Sequence, residues 1–167
     1  MDPAAPASGD SVKLELAAET ARKFGTIKIK VTGDSMLPSV WPGDVLTVVR
    51  QPLARFRPGD LVLAARHRAG DPPHALEFVA HRVVRKEVRK DVPRQSPCLI
   101  TRGDSLAHPD APWEEHEILG RVAAVTRNGR RIDPSLTPAR RMAAWVLRRS
   151  EVSVRVLLRF NRRPTGS

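Results

Sequence analysis

The residues best suited to chemistry begin at Gly33-Asp34-Ser35-Met36-Leu37-Pro38. A serine in a tight turn just after a strand, flanked by glycine and proline, presents its hydroxyl unshielded by regular structure. Such a hydroxyl becomes a useful nucleophile when a neighbouring base takes its proton. Most loop serines never meet one, so the turn alone defines only a candidate. Titratable rings come from His67, His74, His81, His108 and His116. Their spacing holds no compact ligand motif of the His-Glu-x-x-His kind, which speaks against a metalloenzyme. Neither metal nor cofactor is expected. The single cysteine, Cys98, can form neither an internal disulfide nor a cysteine-based zinc site. Packing must therefore hold the fold, which suits a reducing compartment.

The elements that must position Ser35 read as short strands divided by turns. With 167 residues, 41% of them hydrophobic and 28% charged, the chain has material for one packed domain. Residues 1–10 form a loose leader rich in Pro, Ala, Ser and Gly. Ser11 is placed to cap a helix over 11–25, with Leu14, Ala17, Ala18, Ala21 and Phe24 on one face and Gly25 at its end. Ile27, Ile29 and Val31 then alternate with Lys28 and Lys30, the period of a half-buried strand. Pro42-Gly43-Asp44 and Pro58-Gly59-Asp60 turn the chain into two further strands, Val45–Val49 and Leu61–Ala65. More strands are expected over Leu76–Val84, Leu99–Arg102 and Ile118–Thr126, and Asn128-Gly129 signals a hairpin into Arg130–Ile132. Thr137 and Pro138 start a second helix whose apolar side contains Met142, Trp145 and Val146. The fold class is mainly β (α+β), with a helix at each end.

Charge divides the chain in two. Eleven arginines face only Asp133 and Glu151 from Arg127 onward, whereas the first 126 residues are close to neutral within a formal total of +11. A cationic end of this kind suits nucleic acid, an anionic membrane surface or an acidic peptide, and equally a solvated face. Helical continuation over residues 138–160 would set Trp145, Leu157 and Phe160 among arginines, as interfacial helices require. Against it, Val152-Ser-Val154-Arg-Val156 alternates like a strand. No apolar run approaches the roughly 18 residues that span a bilayer. The start Met1-Asp2-Pro3 lacks the basic-then-apolar form of a signal segment.

A longer pattern surrounds the serine. Val31-Thr-Gly-Asp-Ser35-Met36-Leu-Pro38 leads to Trp41-Pro-Gly43-Asp44 and a second Gly59-Asp60. His81-Arg82-Val83-Val84 comes next, then Thr101-Arg-Gly103-Asp104 with Asp110, and finally Ile118-Leu-Gly120-Arg-Val122. Each block is weak alone, but their order resembles the signal peptidase I and LexA-type repressor superfamily of serine peptidases, over about residues 26–126. The usual base of that superfamily is a lysine. His81 stands in its place here, which looks like the branch that uses serine, histidine and aspartate.

That resemblance implies a coiled β-sheet peptidase fold over residues 26–134, with a basic helix and tail over 135–167. It implies Ser35 as nucleophile and His81 as general base. The exchange has a physical basis, because a lysine must lose its charge through burial before it can act, while histidine titrates at about 6.5 unaided. Asp110 is favoured over Asp104 as the third catalytic residue, with Asp104 shaping or supporting the site. Met36 and Pro38 are expected to touch substrate, and Trp41 to serve as a core anchor. Signal peptidases commonly carry a serine two residues before the nucleophile; here that position is Gly33. The oxyanion would then fall to backbone N–H groups around Ser35.

The function implied is a serine endopeptidase that cleaves a peptide or protein precursor through an acyl-enzyme. The family's membrane anchor has no counterpart in this sequence, so a cytoplasmic enzyme is expected, with peripheral contact to anionic membrane through the basic tail. A self-cleaving repressor is the first alternative. It would need a two-helix DNA-binding module, and residues 1–25 hold one helix, so specific nucleic-acid binding is not expected. A catalytically inactive basic binding module on the same fold is the second.

Overall fold

The structure, a computed structural model, describes residues 16, 19, 23–67, 76–89 and 96–149. The expected leader, most of the 11–25 helix and the stretch from residue 150 onward, Val152–Val156 included, lie outside these. Leu16, Glu19, Lys23 and Phe24 are helical.

Among the described residues, eight strands make one antiparallel sheet: β1 (Thr26–Lys30), β2 (Val45–Val49), β3 (Leu61–His67), β4 (Leu76–Arg89), β5 (Ser96–Arg102), β6 (Trp113–Glu114), β7 (Ile118–Arg127) and β8 (Arg130–Ile132). Their order is β1-β2-β7-β3-β4-β5-β6, with β8 on β7. One described helix, α1 (Pro138–Arg149), follows. Thr137 caps it, its hydroxyl accepting from the Arg140 N–H at 3.3 Å.

Strand β3 shows why the core lies where it does. Leu61, Leu63 and Ala65 point into one cluster with Ile27, Met36, Val40, Leu46 and Val122. Val62 and Ala64 point the other way, into a cluster with Leu53, Phe56, Val83, Leu99 and Trp113. A strand buried on both faces must be apolar at every position, and Leu-Val-Leu-Ala-Ala is. The two Pro-Gly-Asp turns are built alike. Gly43 and Gly59 adopt φ of 95° and 97°, a conformation that L side chains resist. Asp44 and Asp60 each close the turn by accepting a 2.8 Å bond from a backbone N–H three residues earlier.

Several boundaries differ from expectation. Strand β4 runs on to Arg89, because a bulge between Val83 and Arg85 restores pairing with a β5 that begins at Ser96. β6 is additional, pairing Trp113 with Leu99. In α1 it is Ala144 and Leu147 that are buried, whereas Met142, Trp145 and Val146 face solvent. No described helix is long and apolar enough to cross a membrane.

Candidate active site

Ser35 occupies a turn closed by a bond from the Leu37 N–H to the Asp34 carbonyl. The next residues, Met36, Leu37 and Val40, are core side chains at 3% exposure or less. Apolar burial thus anchors the turn and leaves the serine at its rim. The Met36 thioether is packed inside the main cluster, which leaves its backbone rather than its side chain beside Ser35. Pro38 is half-buried, its carbonyl accepting from the Trp41 indole at 3.0 Å. Trp41 itself is half-buried, with Arg127 stacked over its ring.

His81 lies on β4, opposite Val62, at the margin of the second cluster. The residue is 7% exposed. Nε2 stands 2.9 Å from Ser35 Oγ, and Nδ1 stands 2.6 Å from Asp110 Oδ2. Asp110 reaches this point because its backbone N–H bonds the Thr101 carbonyl, folding the loop after β5 back along that strand. Burial, the largest influence on the Asp110 carboxyl, pushes its pKa up. Hydrogen bonds from His81 and Thr101 act against it and leave the net value below the ordinary one.

An ionised carboxylate only accepts hydrogen bonds, so the proton between Asp110 and His81 belongs to Nδ1. In the neutral ring, Nε2 then carries the bare lone pair that faces the serine. The same logic runs one step further back. The Trp113 indole can only donate, and it donates to Thr101 Oγ1 at 2.9 Å. The Thr101 hydroxyl proton is therefore directed at Asp110 Oδ2, which it contacts. Arg66 holds the far end, lying 4.1 Å over the Trp113 ring while it bonds Glu117 and the Pro112 carbonyl.

Asp104 does not reach the imidazole. It is 2% exposed and bound bidentately by Arg82, both contacts at 2.8 Å. Of the two aspartates named as candidates for the third catalytic residue, this one has its oxygens engaged by a guanidinium rather than by the imidazole. The residues beside it act on Ser35 instead. The Ser105 N–H and hydroxyl both donate to the Ser35 carbonyl, at 3.0 and 2.9 Å. Gly103 permits that approach, since a Cβ there would sit 2.6 Å from the same carbonyl oxygen. Ser35 and Met36 N–H groups donate to no partner among the described residues. Ser105 and Trp113 had no role in the sequence reading, and Thr101 and Gly103 entered it only as members of a motif block; nearness to Asp104 and Asp110 does not say what each side chain touches.

Among the described residues, no three His, Cys, Asp or Glu side chains converge as metal ligands. Chemically, the arrangement is a hydroxyl, a base holding the right lone pair, and a carboxylate fixing that base. No family model, curated protein or solved structure matches the chain.

Proposed function

We propose that this chain is a serine endopeptidase of the signal-peptidase and LexA-like superfamily, in the histidine-using branch, acting on a peptide or protein precursor. The observation that carries the reading is the continuous Ser35–His81–Asp110 contact, made by groups 46 and 29 residues apart in sequence. The ordered motifs over residues 26–126 supply independent support from the sequence. A cytoplasmic setting is part of the same proposal, resting on the lone cysteine.

In the proposed reaction an extended segment of substrate lies along the outer edge of β1, whose chain leads directly to Ser35. Ser35 Oγ attacks the scissile carbonyl carbon while His81 Nε2 takes the hydroxyl proton. The carbonyl π pair moves onto oxygen, where the Ser35 and Met36 N–H groups are the nearest candidate donors. Asp110 stabilises the resulting imidazolium. Collapse breaks the C–N bond, and Nε2 returns its proton to the departing amine. A water deprotonated by His81 then cleaves the acyl-enzyme and regenerates the serine.

The test is incubation with a diverse peptide mixture, followed by mass spectrometry for new termini. The intact protein is expected to generate cleavage products that Ser35→Ala and His81→Ala both fail to make, each losing on the order of 10⁴-fold or more in rate while keeping its melting transition. Products that persist in Ser35→Ala would overturn the proposal.

A further inference from the structure

Helix α1 is oriented against the usual rule. An amphipathic surface helix turns its apolar stripe toward the core. Here Met142, Trp145 and Val146, at spacings i, i+3 and i+4, are 68%, 52% and 45% exposed, while Ala144 and Leu147 face inward at 1% and 6%. Arg149 continues the outer stripe, its guanidinium 4.1 Å over the Trp145 ring. Arg141, one turn before Trp145, lies on the flank of the stripe and also lines a groove beside the helix.

That groove encloses about 760 Å³ between α1, β7 and β8. Arg82, Arg121, Arg131 and Arg141 line it, against the carboxylates Asp60 and Asp133. Both acids are engaged, Asp60 by the Arg57 N–H and Asp133 by Ser135. Arg82 is bound to Asp104, and Arg131 donates to the Ala123 carbonyl. The Arg121 and Arg141 guanidiniums make no ion pair or hydrogen bond among the described residues. An exposed aromatic and aliphatic stripe therefore runs into a cationic groove through Arg141.

We propose that this face docks on an anionic membrane surface. Met142, Trp145 and Val146 enter the headgroup boundary, and Arg121, Arg131 and Arg141 meet lipid phosphates. Charge alone would also suit a nucleic acid, but three exposed apolar side chains gain nothing from a sugar-phosphate backbone. A bilayer interface accommodates both features at once. The inference is independent of the hydrolase reading.

The test uses the full chain with vesicles of phosphatidylcholine alone or of phosphatidylcholine and phosphatidylglycerol in equal parts. The chain is expected to sediment with the anionic vesicles and not the neutral ones, with a blue shift in tryptophan emission and with binding that weakens as salt rises. Replacing Met142 and Trp145 together by Glu should abolish sedimentation, and Trp145→Phe should retain it. The triple change Arg121→Gln, Arg131→Gln, Arg141→Gln should cost on the order of a hundredfold in affinity, at roughly fivefold per arginine. Met142, Trp145, Arg131 and Arg141 are exposed and Arg121 is half-buried, and the salt series on the unaltered chain needs no variant. Equal behaviour toward the two vesicle types overturns the proposal, as does undiminished binding by the Glu variant. A stable dimer broken by that variant in lipid-free buffer would assign the stripe to a second copy instead.

Discussion

His81 and Arg82 are neighbours on one strand, and each ends on an aspartate from the same loop, yet the two pairs are built for different ends. In the Arg82–Asp104 pair the carboxylate receives two parallel bonds, and the remaining guanidinium donors go to the Gly59 and Pro134 carbonyls. Guanidinium does not give up its proton, so that pair has one state and acts as a clamp joining a turn, a loop and the lead into α1. In the His81–Asp110 pair the imidazole bonds the carboxylate through one nitrogen and leaves the other facing Ser35. A ring with two titratable nitrogens can pass a proton through; a saturated fork cannot. Alternation along β4 sends the two side chains to opposite faces, which keeps the reactive pair apart from the rigid one.

The sharpest way to break this comparison is to neutralise each aspartate in turn. Asp110→Asn should lower kcat by about 10⁴-fold with a small change in melting temperature, because the wrong histidine tautomer is then favoured. Asp104→Asn should do the reverse, costing about 3 kcal/mol or more of stability by removing the carboxylate that balances the Arg82 charge, with turnover largely kept by the folded fraction. Steady-state kinetics and urea unfolding on both variants would check it; equal loss of turnover in folded Asp104→Asn would contradict the division of roles.

A smaller effect is expected from Gly103→Ala, whose new methyl group would press on the Ser35 carbonyl at 2.6 Å. Displacement of the nucleophile by a fraction of an ångström should reduce kcat by about a hundredfold while KM changes little. Next comes Thr101. Thr101→Val removes the hydroxyl that donates to Asp110 and should cost about tenfold in kcat, with Thr101→Ser restoring most of it. If Val and Ser variants behave alike, the hydroxyl has no orienting part.

The smallest effect concerns acid stability. A carboxyl held below its ordinary pKa in the folded state contributes stability that is fully present above about pH 4 and is lost as pH falls through the lowered value. Asp110 is such a group. The difference in unfolding free energy between the wild-type protein and Asp110→Asn should therefore be larger at pH 6 than at pH 3. A difference that does not shrink on acidification would show that the carboxylate gains nothing from His81 and Thr101.

Much of this arrangement was legible in the chain because its signals are local. Glycine and aspartate after proline announce the two turns, Asn128-Gly129 the hairpin, and the family resemblance carried by the ordered motif blocks brought Ser35, His81 and Asp110 forward together. What was not legible depended on which neighbour a side chain finds. Met36 is apolar enough for a pocket or a core, and only packing decides between them. The resemblance favours Asp110 over Asp104, but residue type alone does not separate them; the bond from the Asp110 N–H to the Thr101 carbonyl is what brings Asp110 to the ring. The extension of β4 rests on a bulge, which no period-two pattern announces. In α1 the apolar stripe was evident from spacing, but Ala144 and Leu147 are the buried side chains and the stripe faces outward.

The claim on which the rest depends is that His81 makes Ser35 nucleophilic. The most direct measurement is intact-mass and peptide-level analysis after exposure to an organophosphonate that reacts only with activated serine hydroxyls. One adduct is predicted, on Ser35, absent from both Ser35→Ala and His81→Ala. Equal labelling of His81→Ala, or modification of another serine at the same rate, would contradict the account.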